Sequence, residues 1–450
     1  MESPHEIEIN EGFRRALDAI DSRVPVVFLT GRAGTGKSTL IHLVRETKPR
    51  NCAVVAPTGV AALNARGQTI HSFFGFPPRP IDLDSIERRR DRKLWEKLDL
   101  LVVDEVSMVR ADVMDAIDRS LRLNTGRESE AFGGVPLLLV GDLFQLPPVV
   151  ATDEEAFLLA HRYASPWFFS ARSLQQVELH VIELTRVYRQ RDARFLSLLN
   201  EIREPVEPAN AIASLNAACC ESEEAPDPYE PGVVTLACTN AVAGRINAKR
   251  LRQLSGPERT YVGEIAGQFN VPQDKLPSPY DLTLKVGAQV MFTRNNRTAG
   301  WVNGTVGTVA GLEGDRILVE AAESGETMLH AVSRETWESH RYEWDPARGS
   351  VVAVPIGHYR QFPLMPAWAV TIHKSQGKTL DRVVIDLGSG AFAPGQVYVA
   401  LSRCRSLGGI RLTRPIREDD VQCAPEVLEF HEALRAAQPV FSRTTRSRRR

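Results

Sequence analysis

Apolar residues fall into short, closely spaced runs. Val26-Val27-Phe28-Leu29, Ala53-Val54-Val55-Ala56, Leu100-Leu101-Val102-Val103 and Leu137-Leu138-Leu139-Val140 are each continuous. Unbroken runs of this length fit strands of a parallel sheet buried on both faces. Between them the period lengthens. Phe13, Leu17 and Ile20 predict an amphipathic lead-in helix over about 10–21, and residues 39–44 and 60–63 predict helices after the first two strands. The first strand, its helix and the second strand make a β-α-β unit. Val233–Ala237 opens a second α/β region. From Leu284 the texture changes to short strands broken by Gly and Asn, at 286–292, 304–309, 316–319 and 351–356. That pattern predicts a small antiparallel barrel inserted in the second domain. The α/β pattern then returns at 369–379 and 383–386, with a helix across 398–406 that sets Ala400 and Arg403 three residues apart.

Composition narrows the class. At 450 residues the chain is long for one core, and roughly two to four domains are expected. Its 43% hydrophobic and 25% charged residues suit a globular chain. A net charge of −1 excludes a chain that is basic throughout, though not one with a basic channel. No apolar run approaches the ~18–20 residues of a membrane span. The six cysteines include no C-x-x-C pair, and Cys219-Cys220 are adjacent. Reduced core thiols are expected, and with them a cytoplasmic compartment. The acidic first ten residues lack a targeting pattern.

The chemistry begins at Gly31-Arg32-Ala33-Gly34-Thr35-Gly36-Lys37-Ser38, which reads G-x-x-x-x-G-K-S between a strand and a helix. A glycine-rich turn there aims backbone N–H groups and a helix N-terminus at phosphate oxygens. Gly31, Ala33, Gly34, Thr35, Gly36, Lys37, Ser38 and Thr39 are the candidate nucleotide-binding set. Lys37 is expected on the β- and γ-phosphates and Ser38 on Mg²⁺. Asp104 and Glu105 end the third apolar run. Asp104 is placed to hold Mg²⁺ through water, and Glu105 to polarise the attacking water. Gln145 follows the fourth run and is either a γ-phosphate sensor or a surface loop residue. Arg189 and Arg403 are candidates to reach a phosphate across domains. The stretch from Gly67 to Gly75 sets His71, Phe73 and Phe74 beside hydroxyls; it suits base stacking, or the rings are core. Arg88, Arg89, Arg90, Arg92 and Lys93 form a solvated helix face or a phosphate contact. Residues 204–231 read as loop with a short helix, and the tail ends in a basic cluster from Arg443 to Arg450.

The order of these pieces carries more than each alone. GRAGTGKSTL, APTGVAALNARGQTIHSFF, VVDEVSM, FGGVPLLLVGDLFQLPPV, LTRVYRQ, VTIHKSQGKTL and YVALSRCRS follow the motif order of superfamily 1 helicases. The chain resembles the superfamily 1B, 5′-to-3′ DNA helicases of the Pif type, related to RecD, over about residues 24–412. The resemblance implies an α/β fold with two RecA-like P-loop domains, a small inserted wedge segment (1B) and an inserted SH3-like β-barrel (2B). It divides the chain into 1–180 (domain 1A, with 1B at about 72–95), 181–283 with 359–430 (domain 2A), 284–358 (2B) and a basic tail, 431–450. It implies ATP and Mg²⁺ at the domain interface, and Lys37, Asp104, Glu105, Gln145, Arg189 and Arg403 as the ATPase set. Arg189 and Arg403 would come from the second domain, and Gly377 would line the nucleotide or the strand. Thr58, His71, Phe73, His373, Lys374 and Ser375 would touch single-stranded DNA. Single-stranded DNA, its junctions with duplex and G-quadruplexes are the implied partners, for a monomer of the compact bacterial, nucleoid-associated form. The lead-in around Asn10 to Arg15 has no glutamine of the kind that reads adenine in this group.

Overall fold

The four continuous apolar runs lie side by side in one parallel sheet. Its strands are β1 (Val26–Gly31), β2 (Cys52–Ala56), β3 (Gln68–Thr69), β4 (Leu100–Val103), β5 (Leu137–Val140) and β6 (Leu179–Leu184). They run in the order β3-β2-β4-β5-β1-β6, every pairing parallel. Alternate residues feed two cores. Val27, Leu29, Val54, Val102 and Leu138 pack with Phe13 and Leu40 on one face. Phe28, Val55, Leu101 and Leu139 pack with Met114, Phe132 and Phe168 on the other. Burial on both sides is why these runs do not alternate with polar residues. The P-loop, the Asp104-Glu105 pair and the Asp142–Gln145 segment all leave from carboxyl strand ends, where open α/β sheets bind ligands. This computed structural model describes residues 9–47, 51–77, 81–150, 152–190, 192–220, 225–296, 299–323 and 326–437. The expected basic tail lies outside them from residue 438 onward.

A second parallel sheet orders Ala369–Thr371, Val234–Ala237, Val383–Asp386 and Ile410–Leu412. Helices Ala193–Arg203 and Ala209–Cys220 contribute Phe195, Leu199, Ile212 and Leu215 to its core.

The expected boundaries shift in four places. Residue 180 falls inside β6, which pairs with β1 over six residues, so the first sheet continues to Leu184. The inserted module begins at Arg259 rather than Leu284. Strands Arg259–Val262 and Asp281–Leu284 pair with each other and share a core with the five-stranded sheet built from Gln289–Phe292, Val306–Leu312, Arg316–Glu323, Glu326–Ser333 and Leu364–Pro366. The hairpin Glu335–Asp345/Ser350–Gln361 leaves that sheet, pairs with Glu264–Gly267 and reaches the first domain. Helix Pro425–Ala437, expected to be split between the second domain and the basic tail, sets Val427 into the first core and stacks Phe430 on Phe169 at 4.2 Å.

The hairpin completes the edge of the first sheet. β3 pairs with β2 only at Val55 and Ala56. One residue earlier, the Val54 N–H donates to the Tyr342 hydroxyl at 3.0 Å. The Tyr342 N–H donates to Gln68 Oε1 at 3.1 Å, and the Val351 N–H to Asn51 Oδ1 at 2.8 Å. The Tyr342 ring stands edge-on to Phe73, 5.7 Å between centroids. Burial without a partner would leave the Val54 amide at a free-energy cost. Tyr342→Phe keeps the ring and removes that acceptor, so it is expected to destabilise the fold by about 1–3 kcal/mol, read by urea denaturation. An unchanged midpoint would mean that the Val54 amide is satisfied otherwise.

Candidate active site

The P-loop runs from β1 into helix Lys37–Thr47. Gly34 has φ +79°, and a Cβ there would lie 2.6 Å from the Arg189 Cβ, so only glycine lets the two segments meet. Above the loop opens a cleft of about 1130 Å³, lined by Phe13, the run from Ala33 to Thr39, Glu105, Gln145, Tyr188, Arg189, Gly377 and Arg403. Most of the expected nucleotide set thus comes together. Gly31 and Asp104 are not among its lining residues. The Lys37 ammonium donates to the Gly31 carbonyl at 2.6 Å and the Arg32 carbonyl at 3.0 Å. Burial pushes its pKa down, while Asp142, Glu105 and Asp104 pull it back.

Asp104 and Glu105 are two half-buried acids, adjacent in sequence. Burial and then the Glu105 charge push the Asp104 carboxyl up to about 7. Burial also raises Glu105, against the pull of Lys37 and Arg403. Glu105 has φ +50°, a left-handed backbone that non-glycine residues rarely adopt and that stores strain at functional sites.

Gln145 is buried, not a surface loop residue. Its Nε2 donates to Asp142 Oδ2 at 3.2 Å. Asp142 pairs with Arg203 of the second domain's helix at 2.9 Å, with both side chains out of solvent. Burial works against the Asp142 charge, but Arg203 and Lys37 outweigh it and hold the carboxyl below its usual range. The Arg203 guanidinium also lies 4.3 Å from the centre of the Phe144 ring. Tyr398, on helix Gln396–Leu401, accepts from the Ala33 N–H of the P-loop at 3.0 Å and turns its hydroxyl to Asp142 Oδ2 at 3.4 Å. These contacts lock the back of the cleft across both domains.

Arg189 comes from the connector just after β6, not from the second domain as expected. The Tyr188 N–H donates to the Gly34 carbonyl at 2.9 Å, and the Arg189 guanidinium crosses over, donating to Thr379 Oγ1 and the Ser402 carbonyl at 3.0 Å each. Arg403 follows the end of its helix, which stops at Leu401, short of the expected 406. It is 1% exposed and donates to the Val399 carbonyl at 2.8 Å and Ser402 Oγ at 2.9 Å. Burial and then the Arg189 charge push its pKa down. The hydrogen bonds of both arginines therefore go to neutral groups.

The expected strand-contact residues divide. His373 and Lys374 are exposed. Thr58 is half-buried, and its hydroxyl caps helix Gly59–Asn64 through the Ala61 N–H. His71 is half-buried, edge-on to Phe76. Phe73 is corrected to a core residue: it is 5% exposed among Phe74, Trp95 and Tyr342. Ser375 is fully buried, its hydroxyl spent on the Ile372 carbonyl at 2.7 Å. Of the basic run only Arg92 and Lys93 are helical, in Arg92–Lys97, while Arg88 pairs with Glu128.

Sequence reasoning missed Arg203, Tyr398 and Gln376. Nothing marks Arg203 among 55 lysines and arginines. Gln376 stood inside a quoted motif, beside the strand-contact candidates, and that adjacency was its signal. Its Nε2 donates to Glu105 Oε2 and to Gln145 Oε1, at 3.2 Å each.

Among the described residues no group of three or more His, Cys, Asp or Glu could hold a metal. The Ser38 hydroxyl and Asp104 carboxylate are hard oxygen donors beside the P-loop. That set fits Mg²⁺, which takes one or two protein oxygens and completes its shell with phosphates and water. The six cysteines are free. No described helix is long and apolar enough to cross a membrane.

Known proteins share this arrangement. A family described as PIF1-like helicase matches residues 8–211, and one described as the 2B domain of DNA helicase Pif1 matches 272–312. The chain is 33% identical to the ATP-dependent DNA helicase Pif1 of Bdellovibrio bacteriovorus, over 95% of this chain and 92% of that one. It is 36% identical to ATP-dependent DNA helicase PIF1 of Danio rerio, spanning 91% of this chain but 61% of that relative's length. The crystal structure of Bacteroides sp Pif1 with ADP-AlF4 superposes with a TM-score of 0.86 at 35% identity, covering 96% of this chain and 98% of that one. The same helicase bound to ssDNA gives 0.67, with the same identity and coverage. On the motifs, the two parallel sheets, the cleft between them and these likenesses, the chain belongs to the family of PIF1-like helicases.

Proposed function

We propose that this chain is an ATP-dependent DNA helicase that moves 5′-to-3′ along single-stranded DNA and separates duplex or structured DNA. The observation that carries this reading is the pair of guanidiniums, Arg189 and Arg403, brought over the P-loop on neutral partners. Guanidiniums withdrawn from bulk solvent with no carboxylate hydrogen-bonded to them favour an anion in the cleft. A triphosphate supplies it, and Lys37 exchanges the Gly31 and Arg32 carbonyls for phosphate oxygens. The amides from Gly34 to Thr39 cradle the phosphates. Glu105 takes the proton of the attacking water, and Gln145 orients that water. Ser38 and Asp104 hold Mg²⁺, which when bound neutralises charge on the phosphate oxygens. Loss of phosphate removes the contact that Arg189 and Arg403 make only with a triphosphate, and the cleft reopens. His373, Lys374, Thr58 and His71 meet the strand; Phe73 and Ser375 act by packing. Single-strand/duplex junctions, forks, recombination intermediates and G-quadruplexes are the proposed substrates, a monomer the proposed form and the nucleoid the proposed station.

The deciding experiment is strand separation with ATP and Mg²⁺ on matched duplexes carrying a 5′ or a 3′ single-stranded tail. Unwinding of only the 5′-tailed duplex is expected. Unwinding of only the 3′-tailed one would overturn the polarity. Lys37→Ala is expected to lower ATP turnover by about 10²–10³-fold, with single-stranded DNA binding retained by fluorescence anisotropy. Turnover at the wild-type rate would remove Lys37 from the phosphates.

A pH dependence follows from Asp104. Its folded pKa is raised, so its neutral form stabilises the nucleotide-free protein at low pH, and that contribution is lost as pH rises through about 7. Metal binding needs the carboxylate. Affinity for Mg²⁺–ADP should therefore rise with pH up to about 7 and then level, losing up to about tenfold per unit below it. Calorimetric titration of the wild type against Asp104→Asn separates this from the nucleotide's own protonation. Parallel profiles for both proteins would exclude Asp104 as the group that titrates.

A further inference from the structure

The turn that follows strand Ala369–Thr371 has two faces. His373 and Lys374 point to solvent, and Gln376 points inward to the catalytic carboxylate. The turn between them is stiff. The Ser375 N–H donates to the Thr371 carbonyl at 3.0 Å, the Gln376 N–H to the His373 carbonyl at 3.1 Å, and the Lys378 N–H to the Ser375 carbonyl at 3.0 Å. Thr371 Oγ1 accepts from the Lys374 N–H at 3.2 Å. The Lys378 ammonium ties the same turn to Asn303 of the inserted module at 3.0 Å. Overlapping hydrogen bonds of this kind leave little room to move one face without the other.

The inward amide is fully used. Its nitrogen bonds both Glu105 Oε2 and Gln145 Oε1, at 3.2 Å each, and an amide NH₂ has two donors. Among the described residues this is the side-chain hydrogen bond drawn to the Glu105 carboxylate. A carboxylate oxygen that accepts such a bond has a lone pair occupied, and the side chain is held in one orientation. The contact also crosses between domains: Glu105 follows β4 of the first sheet, and Gln376 belongs to the second.

We propose that Gln376 is a positioning residue that restrains Glu105 until a nucleic-acid strand engages the outer face of its turn. The inference rests on the reading of the chain as a strand-stimulated ATPase. A strand phosphate drawn to Lys374 shifts the turn as a unit. At 3.2 Å a small displacement weakens the bond to Glu105. The carboxylate is then free to accept a proton from water, so hydrolysis is coupled to strand occupancy without any residue touching both ligands.

The test is steady-state ATP turnover with and without a single-stranded oligonucleotide, in wild type, Gln376→Ala and Gln376→Asn. The asparagine keeps the amide but is one methylene too short to reach Glu105 and Gln145 together. In both variants turnover without DNA is expected to rise, so that the stimulated-to-basal ratio falls by about tenfold. The oligonucleotide Kd should stay within about twofold of wild type. An unchanged ratio in correctly folded variants overturns the inference, as does a ratio that falls only through loss of the stimulated rate. A Kd that weakens in step with the ratio also overturns it, because Gln376 would then belong to the strand contact. A wild type whose turnover ignores DNA overturns the parent reading; a stimulated wild type with unaltered variants overturns this inference alone.

Discussion

Three cations facing one cleft, Arg403 buried and Lys37 and Arg189 half-buried, set the terms for the rest of the molecule. Lys37, Arg189 and Arg403 each spend their hydrogen bonds on neutral groups. The Arg403 charge is disfavoured by burial and by Arg189. The nearby acids do not cancel this concentration of charge, because Asp104 and Glu105 are themselves driven toward neutrality by burial. A site of this kind favours an anionic ligand.

The cleft can hold that tension because its back wall is pinned. Asp142 and Arg203 form a buried pair across the two domains, and Tyr398 ties the same carboxylate to the P-loop amide of Ala33. Such a pair is costly to break, since either partner alone would be a buried charge.

The sequence reported best where the physics is local. Continuous apolar runs mark doubly buried strands, and all four lie in one sheet with the P-loop and the acid pair at their carboxyl ends. It reported less where a residue's meaning depends on distant chain. Phe73 has the composition of a stacking platform, but Trp95 and Tyr342, remote in sequence, make it core. Ser375 follows two exposed residues, yet its own turn buries it. Arg189 looked like a residue of the second domain until the pairing of β6 with β1 carried the first sheet almost to it. Gln376 and Arg203 act through partners 271 and 61 residues away, and no spacing rule reaches that far.

The hairpin bond to the first sheet has a consequence for biosynthesis. Val54 and Tyr342 are 288 residues apart. At about 5–20 residues per second, the first sheet's outer edge leaves the ribosome roughly 15–60 s before its partner exists. During that interval the strand carries an open amide beside an aromatic cluster that has yet to receive the Tyr342 ring. An exposed edge of this kind invites pairing with other nascent chains. The N-terminal sheet thus lacks this hydrogen bond and this ring contact until the inserted module has been made.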